Sequence, residues 1–233
     1  MSYKHIVFDV DGTLIDTETA CLLSLRDLIK EELGQDRKPE DLKFCLGRAG
    51  KDSLTMAGFL DWKKSYDRWL EILAEYDNEV KVFDGLREVL EVLQKEGYQL
   101  GVVTSRNLKG AVMDLRAHGI ESYFKTIVCC DDTEKHKPFP DPLLKYLEKN
   151  NCDSSEVLYL GDTEHDLKCA GGADIDFALA GWGAPVMLEA KYVLHHPSEL
   201  LELLKKYFTK RSIRLMESEW PFLYMNVYGK KKN

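Results

Sequence analysis

Residues 4–14 read KHIVFDVDGTL, and this stretch decides the fold. The run at 4–10 is β-branched and aromatic and ends in Asp-Gly, which predicts a buried strand followed by a turn. Similar runs recur at 98–105, 126–130, 157–162 and 176–180, with a weaker one at 191–194. Helical patterns lie between them, at 85–95, 108–118, 142–149, 164–170 and 198–207. Because strands that alternate with helices pair in parallel through crossovers, the pattern predicts an open α/β sheet.

One long segment interrupts this alternation. From about residue 17 to 82 no run predicts a strand, and helical patterns occur near 17–33, 40–46, 51–60 and 62–78. Since a single crossover seldom needs so many residues, we interpret the segment as an inserted all-helical domain. The predicted organisation is a core formed by 1–15 and 83–208, a helical cap at 16–82 and a C-terminal extension at 209–233.

The extension predicts one further strand. Leu223, Met225 and Val227 alternate with Tyr224, Asn226 and Tyr228. Alternation of this kind is typical of a strand, which we expect on the edge of the sheet or on a second subunit.

Composition limits the function classes. The 233 residues carry a net charge of -8, so the averaged surface field repels nucleic acid and anionic lipid. No apolar run approaches the length of a membrane span. Six cysteines without a CxxC arrangement favour reduced thiols in a reducing compartment. We therefore expect a cytoplasmic protein, monomeric or homodimeric, with neither a nucleic-acid nor a membrane partner.

Polar side chains follow the predicted strands at the points where they end. Asp9 and Asp11 follow the first strand, Thr104, Ser105 and Arg106 end the second, and Asp162 ends the fourth; Lys137 precedes the helix near 142. In open α/β sheets the ligand site lies outside the carboxyl ends of the strands. These side chains are therefore expected to converge on one cleft.

The residue types in this cleft suit phosphoryl transfer. Asp9, Asp11 and Asp162 would concentrate negative charge, which is unfavourable unless a cation neutralises it, and oxygen ligands suit Mg²⁺. One carboxylate can attack phosphorus, and a second acid can protonate the leaving group. Thr104 and Lys137 can bind and neutralise the phosphoryl oxygens.

Each of these residues also has a purely structural explanation. Asp-Gly is a common turn, Thr104 and Asp162 are acceptable helix N-caps, and Lys137 can be a solvated loop charge. Their joint occurrence, in order and at strand ends, is what favours a functional site.

With these residues in view, the chain resembles the haloacid dehalogenase-like phosphatases. DVDGTLIDT resembles the first signature of that family, VVTSR the second, the Lys of KPFPDP the third and GDTEHD the fourth. The downstream LAGWG resembles the loop found in phosphoglycolate-phosphatase-like members, and the helical insertion resembles their mobile cap. The resemblance implies a Rossmann-like open parallel sheet with an inserted helical cap.

The resemblance also implies a role for each matched position. Asp9 would be the nucleophile and a metal ligand, and Asp11 the general acid/base and a ligand through its backbone carbonyl. Asp162 would complete the Mg²⁺ site, and Asp166 would support it or Lys137. Thr104, Ser105 and Lys137 would bind the phosphate. The implied activity is Mg²⁺-dependent hydrolysis of a small phosphorylated metabolite through an aspartyl-phosphate.

Substrate choice is expected to depend on the cap. Arg48 lies in a Gly-flanked loop between predicted cap helices and matches the specificity loop of capped relatives, and Arg106 lies at the boundary between core and cap. Two alternatives remain open. One is a phosphomutase similar to β-phosphoglucomutase, although TETACLL at 17–23 holds Cys21 and no cap-hinge His. The other is a non-catalytic phosphate-binding protein.

Overall fold

The computed structural model describes residues 3–205, 208 and 210–228. Its main sheet has six strands, all parallel, in the order β5-β4-β1-β6-β7-β8, and a separate antiparallel pair is formed by β2 and β3. In chain order the strands are β1 (His5–Phe8), β2 (Ile15–Asp16), β3 (Lys81–Val82), β4 (Gln99–Val103), β5 (Thr126–Val128), β6 (Val157–Gly161), β7 (Asp176–Ala180) and β8 (Tyr192–Leu194). The predicted open parallel α/β sheet is confirmed.

Helices connect and cover the strands. They are α1 (Glu18–Leu33), α2 (Gly50–Ala57), α3 (Trp62–Glu75), α4 (Leu86–Lys95), α5 (Leu108–Ala117), α6 (Asp141–Asn150), α7 (Glu164–Gly172), α8 (Glu199–Leu204), α9 (Lys210–Glu219) and α10 (Pro221–Tyr228). A 3₁₀ segment, Pro39–Cys45, lies between α1 and α2. Each of the predicted helical patterns of the sheet region therefore corresponds to a helix.

The first strand lies at the centre of the sheet. All four residues of β1 are buried, and the strand pairs with β4 on one side and β6 on the other. Alternate residues of a strand point to opposite faces. Ile6 and Phe8 accordingly belong to one hydrophobic cluster, and Val7 belongs to a second cluster across the sheet. Because helices cover both faces, the strand is apolar throughout.

The helical insertion has a hydrophobic cluster of its own. Leu25, Leu28 and Ile29 of α1 pack with Trp69 of α3, and the indole of Trp69 donates to Ser24 Oγ at 2.9 Å. Two chain segments join this insertion to the sheet, and they pair with each other as β2 and β3. The separate cluster is consistent with a helical cap at 16–82. The boundaries of core, cap and extension stay a prediction.

The C-terminal extension is helical, so the predicted strand is wrong. Leu223 and Val227 are each 4% exposed, whereas Met225 is 60% exposed. A spacing of four residues puts Leu223 and Val227 on one face of α10, whereas a strand would have put all three residues on one face. α9 and α10 pack against α4 and α8 rather than at a sheet edge. Residues 209 and 229–233 of the extension lie outside the described residues.

Within the described part of the chain, no helix is both long enough and apolar enough to cross a membrane.

The helical extension leads to a stability test. Leu223→Ala removes a buried side chain and should lower the free energy of unfolding by about 2 kcal/mol or more. Met225→Ala is the matched control, because its exposed side chain should change that free energy by less than about 0.5 kcal/mol. Urea unfolding followed by circular dichroism measures both. Equal losses for the two variants would contradict the observed helix orientation.

Candidate active site

The reactive side chains gather at the carboxyl edge of the sheet. Asp9 follows β1, and Asp162 follows the adjacent β6 and leads into α7, which carries Asp166. Carboxylate oxygens of Asp9, Asp162 and Asp166 all lie within 4.8 Å of one another, and all three residues are buried. Three buried carboxylates this close repel each other unless cations or hydrogen-bond donors compensate them.

Lys137 supplies the first compensation. Its Nζ lies 2.8 Å from Asp9 Oδ2 and 2.7 Å from Asp166 Oδ1, and its side chain is 1% exposed. Burial alone lowers the pKa of Lys137, but the two carboxylates raise it above its usual value, so the lysine stays charged. Lys137 therefore links the residue after β1 to the helix after β6.

Asp166 is occupied by donors on both oxygens. Oδ1 accepts from Lys137 Nζ and from the Tyr159 hydroxyl at 2.8 Å, and Oδ2 accepts from the Thr163 backbone N–H at 3.1 Å and hydroxyl at 2.5 Å. Burial raises the pKa of Asp166, but Lys137, Thr163 and Tyr159 lower it overall. An ionised carboxylate offers about four acceptor positions. Asp166 has none left for a cation, which favours a supporting role.

Asp162 is compensated far less. Its Oδ1 accepts from Thr13 Oγ1 at 3.2 Å, and no salt bridge joins it to a cation among the residues that the structure describes. Burial, followed by the charges of Asp166 and Asp9, raises the pKa of Asp162 well above its usual value. Burial likewise raises the pKa of Asp9 to about 7, although Lys137 opposes the shift. Asp162 therefore lacks a cationic partner, and Asp9 shares its one cation, Lys137, with Asp166.

A divalent cation fits this deficit. Asp9, Asp11, Asp162 and Asp166 would carry four negative charges, against the two positive charges of Lys137 and Arg106. Hard cations such as Mg²⁺ prefer carboxylate and carbonyl oxygens. The carboxylates of Asp9 and Asp162, which have fewer donors than Asp166, are the ones suited to such an ion.

Asp11 is held in a different way. Its carboxylate receives Arg106 Nη2 at 2.7 Å and Arg106 Nε at 2.8 Å, and Thr17 Oγ1 donates to it at 2.6 Å. Burial raises the pKa of Asp11, but Arg106 and Thr17 lower it overall, so the carboxyl is ionised in this conformation. Arg106 also forms an ion pair with Asp114 of α5. Asp11 is thus paired with Arg106 and Thr17 rather than with Lys137.

Two glycines allow the loops around the site to approach closely. Gly12 has φ +70°, and a Cβ there would lie 2.2 Å from Asp162 Oδ2. A Cβ on Gly183 would lie 1.9 Å from the carbonyl oxygen of Gly12, so the two backbones touch. Trp182 fixes the same contact by donating Nε1 to Thr13 O at 3.0 Å. The loop after β7 therefore supports the loop after β1.

The helical insertion closes over this edge. Ser105 Oγ donates to the carbonyl of Gly47 at 3.1 Å, and Leu46 and Gly47 line a cleft with Asp11, Gly12, Thr17, Glu18, Asp162, Gly183 and Pro185. The cleft has a volume of about 20 Å³, which is room for about one water molecule. A larger cavity of about 390 Å³ lies at the opposite, amino end of β4, where only Lys125 among its lining residues is charged. The carboxylates of Asp11 and Asp162 make the smaller cleft the candidate active site.

The remaining predicted residues, Thr104, Ser105 and Arg48, are not among the residues that line this cleft. Thr104 is buried beyond β4, and its Oγ1 accepts from the Arg106 backbone N–H at 3.2 Å. The Ser105 hydroxyl is directed to Gly47, as described above. Arg48 Nε donates to Phe44 O at 2.8 Å. After burial, the charge of Arg48 is the next cause that lowers the pKa of His165 in the first turn of α7.

Four participants were missed by the sequence reasoning: Thr13, Thr17, Asp114 and Tyr159. The two threonines lie inside the DVDGTLIDT motif, and their hydroxyls were a visible signal. Tyr159 offered a weaker one, as the only residue of the buried run VLYLG with a polar side chain. Asp114 gave none, because its contact with Arg106 depends on how α5 packs.

The amino-acid sequence is similar to those of known proteins. A model of the family described as haloacid dehalogenase-like hydrolase matches residues 6–180. Pyrophosphatase PpaX of Bacillus velezensis is 31% identical over 208 residues, which cover 85% of this chain and 94% of the relative. Pyrophosphatase PpaX of Oceanobacillus iheyensis is 30% identical over 215 residues, which cover 90% of this chain and 97% of the relative.

Solved structures show the same similarity. A Lactobacillus plantarum protein, named as a candidate phosphoglycolate phosphatase, has a TM-score of 0.79 at 27% identity and covers 87% of this chain and 100% of its own. CbbY from Rhodobacter sphaeroides, in complex with phosphate, has a TM-score of 0.74 at 21% identity and covers 85% of this chain and 96% of its own. The CbbY likeness concerns the fold alone.

The unequal compensation of the carboxylates predicts opposite effects on stability in metal-free buffer. Burial raises the pKa of Asp162, which costs folding stability at neutral pH, so Asp162→Asn should raise the free energy of unfolding by about 0.5–2 kcal/mol. Lys137→Met leaves Asp9 and Asp166 buried without their cation and should lower it by about 3–5 kcal/mol. Urea unfolding in the presence of a chelator measures both. A destabilised Asp162→Asn protein would contradict the charge deficit.

Proposed function

This chain belongs to the haloacid dehalogenase-like hydrolase family, and we propose that it is a Mg²⁺-dependent phosphatase that uses Asp9 as a covalent nucleophile. Family membership, together with the pyrophosphatase relatives, supports a hydrolase that acts on phosphate esters. The observation that carries the finer proposal is the buried Asp9 carboxylate, held by Lys137 beside an undercompensated Asp162. The ion pair with Lys137 orients the Asp9 carboxylate, and the uncompensated charge of Asp162 favours a cation beside it.

The proposed reaction proceeds in two displacements. In the first, an Asp9 carboxylate oxygen attacks phosphorus, the bond from phosphorus to the ester oxygen breaks, and Asp11 protonates that oxygen. In the second, Asp11 takes a proton from water as the water attacks phosphorus. The aspartyl-phosphate bond then breaks, which releases inorganic phosphate and restores Asp9.

Charge neutralisation assists both displacements. Lys137, with Thr104 and Ser105 from the end of β4, would bind the phosphoryl oxygens. Bound Mg²⁺, held by Asp9, Asp162 and the backbone carbonyl of Asp11, would keep the carboxylates ionised and neutralise the transferring group. Asp166 would keep Lys137 in position through the 2.7 Å contact.

Asp11 needs to leave Arg106 before it can act as an acid. The paired guanidinium keeps the carboxyl ionised, and an ionised carboxylate has no proton to donate. A second anionic group on the substrate would compete with Asp11 for Arg106. We therefore propose a substrate whose leaving group carries its own negative charge, as in pyrophosphate or a phosphorylated carboxylic acid. The named relatives, a pyrophosphatase and a candidate phosphoglycolate phosphatase, support this class.

Substrate entry also requires movement of the insertion. A cleft of about 20 Å³ is too small for a phosphate ester, so the Gly47 loop would move away and its hydrogen bond from Ser105 would break. On closure, the same loop would bring Arg48 towards the bound leaving group. Arg48 and Arg106 are accordingly the proposed specificity residues.

Release of phosphate from a panel of phosphorylated metabolites and pyrophosphate tests the activity. We expect Mg²⁺-dependent release that a chelator abolishes. Asp9→Asn should lower kcat by at least about a thousandfold, because the amide keeps the shape of the side chain but loses its nucleophilic charge. Asp36→Asn, on the exposed loop after α1, is the control. Failure of every substrate would favour a phosphate-binding protein, and isomerised sugar phosphate without free phosphate would favour a mutase.

The same panel tests the specificity residues. Arg48→Ala should lower kcat/KM by about 10- to 100-fold for substrates with an anionic leaving group, as expected for a lost charge-assisted hydrogen bond. The value for a neutral alkyl phosphate should change much less. Arg37→Ala removes an arginine that bonds Gln35 at the insertion surface and serves as the control. An unchanged selectivity profile in Arg48→Ala would remove Arg48 from the proposal.

A further inference from the structure

The phenolic hydroxyl of Tyr159 lies within the buried charge network of the site. Tyr159 is the third residue of β6, is fully buried, and pairs with Val7 of β1. We infer that Tyr159 is a positioning residue that fixes the orientation of the Lys137 ammonium group through its hydroxyl. The inference rests on the proposed role of Lys137 in binding the phosphoryl group.

The hydrogen-bonding capacity of Lys137 is fully used. An ammonium group has three N–H bonds, and Lys137 Nζ has three oxygen partners: Asp9 Oδ2 at 2.8 Å, Asp166 Oδ1 at 2.7 Å and Tyr159 OH at 3.3 Å. Three fixed acceptors leave the group no freedom to rotate. Because the lysine stem is long and flexible, such acceptors are what determine the direction of each N–H bond.

Tyr159 also acts on the second acceptor. Its hydroxyl lies 2.8 Å from Asp166 Oδ1 and 3.2 Å from the carbonyl of Val103. A hydroxyl has one hydrogen to donate, and the nearer, charged Asp166 oxygen is the stronger acceptor. The hydroxyl therefore donates to Asp166 and accepts from Lys137, which closes a ring of three hydrogen-bonded groups.

The polar atom is not needed for packing. The ring of Tyr159 lies against Phe177 at a centroid distance of 6.2 Å, and its strand neighbours Leu158 and Leu160 are buried and apolar. Phenylalanine would fill the same space. A buried hydroxyl carries a desolvation cost that only its hydrogen bonds offset. Its position among Lys137, Asp166 and Val103 is therefore where its contribution lies.

The network changes partners during the proposed reaction. When Asp9 becomes phosphorylated, the N–H bond of Lys137 that faced Asp9 is the one available to a phosphoryl oxygen. Asp166 and Tyr159 hold the other two N–H bonds in place. Without the hydroxyl, the Lys137 ammonium group can rotate. A smaller fraction of the protein molecules then has an N–H bond directed at the transferring phosphoryl group. The loss should appear in kcat more than in KM.

A pair of matched substitutions tests the inference. Tyr159→Phe and Tyr146→Phe each remove one hydroxyl from a fully buried tyrosine in the same hydrophobic cluster, and Tyr146 OH bonds His5 Nδ1 at 3.2 Å, away from the carboxylates. We expect Tyr159→Phe to lower kcat about tenfold with KM within about threefold, and Tyr146→Phe to change kcat less than about twofold. Assays run well below both melting temperatures, so that unfolding does not reduce kcat.

A double-mutant cycle with Asp166→Asn gives a readout that a purely structural role would not change. If Tyr159 acts through Lys137 and Asp166, Tyr159→Phe should lower kcat much less in the Asp166→Asn background than in the wild type. Equal factors in both backgrounds, or equal effects of the two phenylalanine variants, would overturn the inference. The comparison with Tyr146→Phe stands alone if the second background is too slow to assay. An inactive wild type would instead reject the proposed function.

Discussion

The ion pairs of Lys137 are the interaction on which the rest of the site depends. Four carboxylates lie at one edge of the sheet, and burying such charges without compensation would be prohibitive. Lys137 contacts Asp9 and Asp166 directly, so one side chain ties the end of the central strand to the helix that follows its neighbour. The fold can therefore keep the Asp9 carboxylate buried, away from bulk water. The contact with Lys137 also fixes the orientation of the Asp9 carboxylate.

The two cationic side chains of the site, Lys137 and Arg106, differ in their exposure and in their partners. Lys137 is 1% exposed and is paired with Asp9 and Asp166, whereas the Arg106 side chain is 19% exposed. Arg106 therefore has room to exchange one anionic partner for another. Its present partner, Asp11, is the residue that the proposed mechanism needs in protonated form. In the proposed mechanism, a substrate anion that displaces Asp11 from Arg106 would free the carboxyl to take up a proton.

Sequence reasoning identified the sheet because its signal is local. Each buried strand is an apolar run, and three of the runs lead directly into a polar residue, at Asp9, Thr104 and Asp162, so the sequence itself indicated the carboxyl edge of the sheet. The pairing of Ile15 with Val82 was not visible, because two-residue strands have no periodicity. The strand predicted in the C-terminal extension was wrong for a related reason. Three alternating apolar residues fit a strand, but Leu223 and Val227 also fit one face of a helix. Pro221, at the first position of α10, was the overlooked helix signal.

The sequence predicted which residues form the site more easily than it predicted their hydrogen-bond and ion-pair partners. The motifs located Asp9, Asp162 and Lys137, but they gave no information on which oxygen is already occupied. The distinction between Asp162, with one neutral donor, and Asp166, with four donor contacts, comes from packing around Thr163 and Tyr159. That distinction decides which carboxylates remain for a cation. In the proposed mechanism the core groups would be occupied by one another and by the phosphoryl group, so discrimination between leaving groups would depend on Arg106 and on the insertion, where Arg48 lies.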